Sequence, residues 1–503
     1  MEPARIIELD SHGVPLEDGP QAFVNPTIPL KENGHQDTLR GLVGKEHSEK
    51  QQQSASVSTS SEVEDLHPFK HSFFDKRLRP FQKAYLIPVC TSVFLTLVMI
   101  WLFCSIYWGS LYHMEEHTPN FNCIVLNRDQ DTIGNVIVQA LLDSNHGPLP
   151  HNTWVEVSQQ DYPASSQLVE AIEPKQQYWA AIEIHPNATQ NFMRARREGD
   201  ASWDPLSVMT MYYASARNSV GLPTLILSPT QSVMEKATNQ LGLNLTSQYL
   251  SEMGTNSAAM QALSRAPQTL VQPFGMRMDD IRPWTTNVGL APTFVGMIYL
   301  VILSFQVVLA AFSGRLAVQR YLHYRGLMTL RLLTTFVSAI PISLMISLLD
   351  IPFDLPFDGN FSYGGGFMVY WLVTYCGVCI FSLALESAIT FLTPKFIGAF
   401  MIFFIISNVS VSNFPVEAAS SFYLYGYAMP FYNLRQVYLA IMFRVGERTY
   451  ELLTKGSSIM KYVGILWAWM AGILLTYPIF VWLDYRKRRR IHLTSEAAHR
   501  PTA

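Results

Sequence analysis

Glu386 is the residue whose position in the sequence most directly suggests chemistry. It is the only formal charge in the apolar stretch from Phe367 to Phe391. A carboxylate costs a few kcal/mol to insert into a bilayer, so such groups usually face a cavity or a charged partner. Glu386 is therefore a candidate site for a proton or a cationic substrate. The alternative is that it pairs with Lys395 or with an arginine from the loop after the second apolar stretch.

Asn433 and Arg435 form a second candidate site, in an apolar and aromatic stretch from Phe414 to Phe443. Polar and helix-breaking residues interrupt this stretch at Pro415, Glu417, Gly426 and Pro430. Irregular backbone is tolerated at membrane depth only where protein or water surrounds it, and a re-entrant or interfacial segment fits this pattern. Asn433 and Arg435 would then meet a polar headgroup or an anion on a substrate pathway. The alternative is an external pair of amphipathic helices that seals the bundle.

Asp279, Asp280 and Arg282 are a third group, in the sequence MDDIRPW just before the second apolar stretch. The neighbouring Trp284 would lie at the level of the lipid headgroups. We interpret the three charges as a clamp between a folded domain and its membrane helices. A metal or substrate role is the alternative.

The common catalytic motifs are absent from the sequence. It contains no H-E-x-x-H, no G-x-S-x-G and no glycine-rich phosphate loop, since the nearest approach, at Gly41, has the wrong spacing. We therefore predict no catalytic residue, no metal site and no cofactor, and we expect that the chain is not an enzyme. Arg194, Arg196 and Arg197 are interpreted as a solvated helix face.

The composition indicates a membrane protein that crosses the bilayer several times. Of the 503 residues, 49% are hydrophobic and only 15% are charged, and the net charge of -3 gives no reason to expect nucleic-acid binding. About 20 apolar residues suffice to cross the hydrocarbon core. The uncharged apolar segments that we predict as transmembrane helices are 85–108, 291–314, 332–349, 367–391, 396–411 and 462–483.

The positions of the cations predict the orientation of these segments. Lys and Arg in short loops stay in the cytoplasm. Cations precede the first segment, separate the second from the third and follow the last, at Lys76, Arg77, Arg79 and Lys83, at Arg315, Arg320, Arg325 and Arg331, and at Arg486 to Arg490. With six crossings, both termini are cytoplasmic and residues 109–290 are extracellular. Sequons at Asn187, Asn244 and Asn360 fall on the same outer side and are glycosylation candidates.

The terminal segments are predicted from their composition. Residues 1–68 are rich in polar residues and of low complexity, which predicts a disordered cytoplasmic tail. Residues 69–84 mix Phe and Leu with Lys and Arg, as in an amphipathic helix on an anionic leaflet, although Pro80 should interrupt it. A simple basic flank to the first membrane segment is the alternative. Residues 484–503 form a cytoplasmic basic tail.

The insert at 109–290 has the pattern of a mixed α/β domain. Phe121–Asn127, Thr153–Ser158, Tyr178–His185 and Leu222–Ser228 are predicted strands, bounded by Asp, Pro and Asn. The sequence TIGNVIVQALLD and residues 230–250 have helical apolar spacing. The predicted fold class is thus a polytopic α-helical membrane protein with six transmembrane helices and a mixed α/β extracellular domain inserted between helices 1 and 2.

This arrangement resembles the ABC-2-type permeases, particularly their YhgE/Pip branch, and within it the fungal nitrosoguanidine-resistance membrane proteins. The residues that carry the resemblance are FNCIVLNRD after the first segment, YWAAIEIHPNAT, MTMYYASARN, QPFGMRMDDIRPWTTN and YGYAMPFYNLRQVYLAIMFRVG. The resemblance implies a plasma-membrane protein that confers resistance to toxic compounds, by export or by altering the transbilayer distribution of lipids and drugs. It also implies a homodimer, and it favours the re-entrant interpretation of residues 414–443.

Two functions follow from these observations. A permease acting on membrane lipids or lipophilic compounds would need a separate ATPase or pump partner, because no nucleotide-binding loop is present. On this reading, Glu386→Gln should lower resistance to a toxic cation without lowering protein abundance. The alternative is a non-transporting membrane organiser whose external domain recruits or modulates a partner.

Overall fold

The computed structural model of the protein describes residues 72, 74, 76–392, 394–446 and 458–498. The predicted disordered tail at 1–68 and residues 499–503 lie outside the described residues. The chain divides into two compact units, Met1–Cys90 and Thr91–Ala503. In the first unit, the turn Lys76–Leu78 leads into a helix that begins at Arg79. Pro80 lies in the first turn of this helix, where its missing N–H costs no hydrogen bond. The prediction that Pro80 interrupts a helix is therefore wrong.

Helices dominate the described residues. Numbered along the chain, they are α1 Arg79–Met99, α2 Ser105–Leu111, α3 Thr132–Ser144, α4 Ser165–Ile172, α5 Ala188–Glu198, α6 Ser228–Met253, α7 Ser257–Arg265, α8 Gln268–Val271, α9 Gly296–Val318, α10 Tyr324–Leu349, α11 Tyr363–Leu392, α12 Ile397–Val409, α13 Pro430–Phe443 and α14 Ser458–Ala498. Short π-helical or 3-10 segments also occur, among them Ser215–Arg217, Pro223–Leu227, Val416–Ala418 and Ser421–Ala428. The strands are β1 Asn122–Asn127, β2 Thr153–Val157, β3 Ala180–Ile184, β4 Met209–Tyr213 and β5 Met276–Asp280.

Five helical segments in the described part of the chain are long and apolar enough to cross a membrane. They are Gln82–Leu111, Asn287–Val318, Tyr324–Phe353, Tyr363–Leu392 and Ile459–Ile491. The predicted span at 396–411 is shorter than these five, because the helix found there, α12, has only 13 residues. At about 1.5 Å per residue it is roughly 20 Å long, short of the ~30 Å hydrocarbon core. The protein is therefore membrane-embedded, with α12 as a shorter apolar helix beside the five long ones.

α11 is the most buried of the long helices. It packs against α9, α10, α13 and α14, so that neighbouring helices cover most of its circumference. Gly377 allows α13 to approach closely, since a Cβ at this position would lie 2.9 Å from Leu434 Cδ1. The core of the bundle thus lies along α11, and it is here that Glu386 is found.

The insert contains a five-stranded sheet in the order β2-β1-β3-β4-β5. Its neighbouring strands are parallel, except β3 and β4, which are antiparallel. The central strands β1 and β3 are buried on both faces, as is usual where helices cover a parallel sheet. Cys123 and Val125 belong to one hydrophobic cluster with side chains of α3, α5 and α6, whereas Ile124 and Leu126 belong to another with side chains of α4. The insert is accordingly a layered α/β domain.

Three of the four predicted strands are confirmed as β1, β2 and β3. The fourth prediction, Leu222–Ser228, is wrong: it forms the helical segment Pro223–Leu227 that continues into α6. Leu222, Leu225 and Ile226 are buried at helical spacing, and a short apolar run cannot be distinguished from a strand by periodicity alone. β4 and β5 were not predicted.

The insert lies at one end of the membrane helices, and the connection between α9 and α10 lies at the other end. α9 follows the insert directly and ends near Arg315, and residues 319–323 connect it to α10. α14 begins next to the insert, where Lys461 and Trp179 line one cavity, and Arg488 on its last part contacts Gln319. The structure thus separates the insert from the cationic end of the bundle by the full length of these helices.

Candidate functional site

Five charged side chains from α9, α10, α11 and α14 meet at the bundle end that lies far from the insert. This ionic cluster consists of Arg315, Arg331, Glu386, Asp484 and Arg488. Glu386 Oε1 lies 2.6 Å from Arg315 Nη1 and 3.6 Å from Arg331 Nη1. Asp484 Oδ2 lies 2.9 Å from Arg331 Nη2 and also accepts a hydrogen bond from Arg488. The cluster therefore joins four helices through two carboxylates.

Helix ends bring these residues together. Arg315 lies in the last turn of α9 and Arg331 lies near the start of α10, so the short connection places both at the same level of the bundle. Only 4% of the Arg315 side chain and 3% of the Glu386 side chain are exposed. Two uncharged groups complete the contacts: Tyr477 donates a hydrogen bond to Glu386 Oε1 at 3.3 Å, and Thr390 Oγ1 accepts one from Arg331 at 2.7 Å.

Positive charge is in excess in the ionic cluster, because three guanidinium groups face two carboxylates. Some buried N–H groups also have no hydrogen-bond partner among the described residues, namely Arg315 Nε and Nη2, Arg331 Nε and Arg488 Nε. Buried donors of this kind are costly unless something pairs with them. The cluster can therefore attract an anion.

The sequence left two interpretations of Glu386, a site for a proton or cation and an ion pair, and the structure shows it in ion pairs. Its partners are Arg315 and Arg331; the side chain of Lys395 is outside the described residues. A role in binding a proton or a cation stays a prediction. Sequence reasoning missed Asp484 and Tyr477, and the signal for Asp484 was its place as the one acidic residue in the basic stretch LDYRKRRR.

A cavity of about 370 Å³ opens beside the ionic cluster, and we call it the cationic cavity. Its polar wall is formed by Gln319, Arg331, Asp484, Lys487 and Arg488. Apolar side chains of α9, α11 and α14 form the remainder, among them Phe391 and Phe480. The cavity thus combines cations with hydrocarbon, which is the chemistry of an anionic headgroup and the first carbons attached to it.

A larger cavity of about 760 Å³ lies between α11, α12 and α14, and we call it the apolar cavity. It shares Phe391 and Phe480 with the cationic cavity, so the two are adjacent. Much of its wall is formed by aromatic side chains, namely Phe400, Phe403, Phe404 and Trp469. Asn408 also lines it, but its side-chain amide donates a hydrogen bond to Phe404 O and accepts one from Phe431 N. A cavity of this size and lining fits an acyl chain or a lipophilic molecule.

Asp279, Asp280 and Arg282 lie where the insert meets the bundle. Arg282 Nε donates to Arg444 O, just after α13, at 3.3 Å. Asp280 instead accepts from the backbone N–H of Ser215 within the insert at 3.0 Å, and Asp279 is exposed. Of the three, Arg282 has the contact expected of a clamp between the domain and the membrane helices.

Glu173 adds a contact at this junction that sequence reasoning missed. Its carboxylate is buried and accepts from Gly446 N at 2.7 Å and from Gln176 at 3.2 Å. Burial raises the pKa of Glu173, while the N–H of Gly446 and the nearby Arg217 oppose the rise. The partners Glu173 and Gly446 are 273 residues apart, so only the fold reveals the pair.

Asn433 and Arg435 have different environments on α13, which is buried on nearly all sides within the bundle. Asn433 Nδ2 donates to Tyr427 O at 3.0 Å and to Met429 O at 2.7 Å, so its amide closes the turn before the helix. Arg435 lines a third cavity of about 260 Å³, between the insert and the bundle, which we call the junction cavity. Arg435 thus borders a space that a ligand could occupy, whereas Asn433 is not among the residues that line this cavity.

The sequons differ in the environment of the asparagine. Asn187 and Asn244 are exposed on the insert. Asn360 is partly buried, and its Nδ2, the atom that would carry a glycan, donates to Ala440 O at 2.7 Å. A glycan would break this bond, so the geometry favours Asn187 and Asn244 as acceptors and disfavours Asn360.

No metal centre is apparent in the part of the chain that the structure describes. Within those residues, no three His, Cys, Asp or Glu side chains come close enough to hold an ion.

Comparison with known proteins places the chain among membrane proteins. A family described as "Protein of unknown function (DUF3533)" matches residues 92–475. The chain is also 24% identical over 409 residues to the "Uncharacterized endoplasmic reticulum membrane protein YJR015W" of Saccharomyces cerevisiae, covering 76% of this chain and 78% of that protein. No solved structure matches the chain. Because the family match extends from α1 through the insert and the bundle into α14, the chain belongs to the family described as protein of unknown function, DUF3533.

Proposed function

We propose that the protein moves lipids or lipophilic toxic compounds across the bilayer and thereby alters their transbilayer distribution. The observation that carries the proposal is the apolar cavity adjoining the cationic cavity, with Phe391 and Phe480 in the walls of both. An amphipathic molecule has a charged end, which fits the cationic cavity, and a hydrocarbon end, which fits the apolar cavity. The apolar cavity would hold the hydrocarbon.

The charge of the ionic cluster supports an anionic headgroup as the polar end of the substrate. A bare anion in hydrocarbon is costly, whereas guanidinium groups bind phosphate and carboxylate through charge-assisted hydrogen bonds. Lys487 and Arg488 line the cationic cavity, and Arg331 joins it to the buried cluster. The excess positive charge of the ionic cluster would therefore stabilise an anionic headgroup that enters from this end of the bundle.

The wider proposal follows the resemblance to ABC-2-type permeases. It comprises a homodimer, a separate ATPase or pump as partner, no enzymatic activity of its own, and resistance to toxic compounds as the outcome for the cell. We propose the plasma membrane as its location, with the endoplasmic reticulum as the alternative, since the yeast relative carries that location in its name. Imaging of the tagged full chain against markers of both membranes distinguishes the two.

The proposed sidedness, with both termini cytoplasmic and the insert outside, predicts a glycosylation pattern. Asn187→Gln and Asn244→Gln should each remove one glycan, because both asparagines are exposed. Asn360→Gln should leave glycosylation unchanged, because its amide is already bonded to Ala440 O. Gel mobility with and without endoglycosidase measures the result. An insert that carries no glycan at Asn187 or Asn244 in the full chain would contradict the sidedness.

Transport is tested with the purified full chain in liposomes that contain a fluorescent phospholipid. We expect the lipid to move between leaflets, measured by quenching of the outer leaflet. Ser387→Phe should slow the movement several-fold, because Ser387 lines the apolar cavity and a larger side chain would fill it. Leu372→Phe is the matched control, since Leu372 lies on the same helix and is exposed on the outside of the bundle.

Lys487→Gln tests the polar end in the same assay. Lys487 lines the cationic cavity and is exposed, so its loss should slow an anionic lipid several-fold and leave a zwitterionic one nearly unchanged. Arg489→Gln removes an equal charge from an exposed neighbour outside that cavity and should have no effect. Liposomes that show no movement with the wild-type chain, alone or with a candidate ATPase, would refute transport and favour the organiser function.

A further inference from the structure

We infer that the junction cavity binds an oxyanion of the phosphate class. This inference goes beyond the proposed function, because the cavity lies at the insert end of the bundle, far from the ionic cluster, and does not require that lipid is moved. Its walls come from the insert, from the loop at 414–417, from α13 and from the first turns of α14. A site built from all four is complete only when the insert is seated on the bundle.

Arg435 is the main reason for the inference. Only 5% of this residue is exposed, and it lines the cavity. Among the described residues, none forms a hydrogen bond or an ion pair with its guanidinium group. A buried cation without a partner is strongly unfavourable, so such groups are normally paired or bind a ligand. The geometry thus leaves the donors of Arg435 available to whatever occupies the cavity.

Two further cations border the same space. Arg217 is held in place by a hydrogen bond to Tyr178 O at 2.7 Å and by stacking on Trp179, with its guanidinium carbon 3.7 Å from the ring centroid. Lys461 lines the cavity from the first turn of α14 and is exposed. The cavity is therefore cationic on the insert side and on the helix side.

The carboxylates near the cavity do not balance this charge. Glu417 lines it and lies near Tyr427 and Arg217, and Glu173 also lies near Arg217. Three cations thus face two carboxylates, and neither carboxylate pairs with Arg435. A phosphate group fits this arrangement, because a guanidinium binds two of its oxygens at once and tyrosine hydroxyls donate to others. The phosphate could be a lipid headgroup or a free phosphate ion, since both offer the same oxygens.

The test is calorimetric titration of the full chain, purified in detergent without phosphate. One arm uses sodium phosphate and the other uses dihexanoyl phosphatidic acid. We expect saturable binding in at least one arm, and Arg435→Gln should raise Kd about tenfold or more, because it removes charge-assisted hydrogen bonds. Arg435→Lys should restore part of the affinity. Arg197→Gln removes an exposed cation elsewhere on the insert and is the matched control.

Lys461→Gln keeps the test decisive if the Arg435 variant does not fold. Because Lys461 is exposed, its loss should leave the fold intact and still raise Kd several-fold. Binding of phosphate alone assigns a free anion, and binding of phosphatidic acid alone assigns a headgroup; both support the site. The inference is overturned if wild-type protein binds neither probe, or if Lys461→Gln and Arg197→Gln have the same affinity as wild type.

Discussion

Glu386→Gln is expected to lower the free energy of unfolding by about 3–5 kcal/mol, because it removes one carboxylate from a buried ion network. Arg315 would lose its 2.6 Å contact and Arg331 its 3.6 Å contact. Arg315 would then have no carboxylate partner among the described residues, whereas Arg331 would keep Asp484. We expect lower abundance in the membrane and a lower melting temperature in detergent. This revises the expectation from sequence that the substitution leaves abundance unchanged.

Two variants separate this effect from a role in transport. Glu252→Gln removes an exposed carboxylate on α6 and should leave the melting temperature unchanged. The double variant Arg315→Met/Glu386→Met replaces the ion pair with apolar side chains of similar volume, which often preserves stability. It should recover most of the loss, because Arg331 keeps Asp484 and Thr390 as partners. Normal abundance of Glu386→Gln together with loss of resistance would instead support a proton or cation site.

Arg196→Met is expected to destabilise the insert by about 2–4 kcal/mol, since it removes charge-assisted hydrogen bonds inside the domain. The interpretation of Arg194, Arg196 and Arg197 as a solvated face is wrong for Arg196, which is fully buried. Its guanidinium donates to Leu245 O at 3.0 Å and to Thr269 O at 2.6 Å. Burial lowers the pKa of Arg196 to about 10, so the group is still charged at neutral pH.

The Arg196 contacts tie α5 to α6 and α8, so their loss should be felt across the insert. Faster amide hydrogen exchange in those helices, with little change in α11, would show that the effect is local to the insert. Arg197→Met is the control, because Arg197 is the next residue along the chain and is exposed. Equal melting curves for Arg196→Met and Arg197→Met would contradict the structural role.

Much of the fold could be predicted because membrane helices and buried strands leave strong local patterns. The apolar segments ending at Trp108, Gly314, Leu349 and Phe391 each correspond to a long helix, since a bilayer requires about 20 apolar residues whatever the tertiary contacts. β1, β2 and β3 were recognised because β-branched and aromatic residues cluster between turn residues. β5, with the sequence MRMDD, was missed because a charged edge strand lacks that signal.

The candidate site could be predicted only in part. A lone carboxylate at Glu386 is visible in the sequence as an exception within an apolar stretch, and its cost identifies it as a group that needs a partner. Which partner it has depends on helix packing. α9 continues to Val318, so Arg315, which the sequence places in a loop, instead belongs to a helix and faces the core. In the same way α14 continues past Leu483, which brings Asp484 to Arg331.

The sequence alone is enough to predict a membrane protein with an α/β insert, to single out Glu386 as a charge that is costly in an apolar stretch, and to predict that the cations and the insert lie at opposite ends. These features depend on composition and short-range periodicity, which act within one helix or strand. Helix and domain packing establish the ion pairing of Glu386, the burial of Arg196 and the position of Arg435 beside a cavity. Each of these depends on contacts between groups more than 40 residues apart in the sequence, as in the pairs separated by 71 residues at Glu386 and by 49 at Arg196.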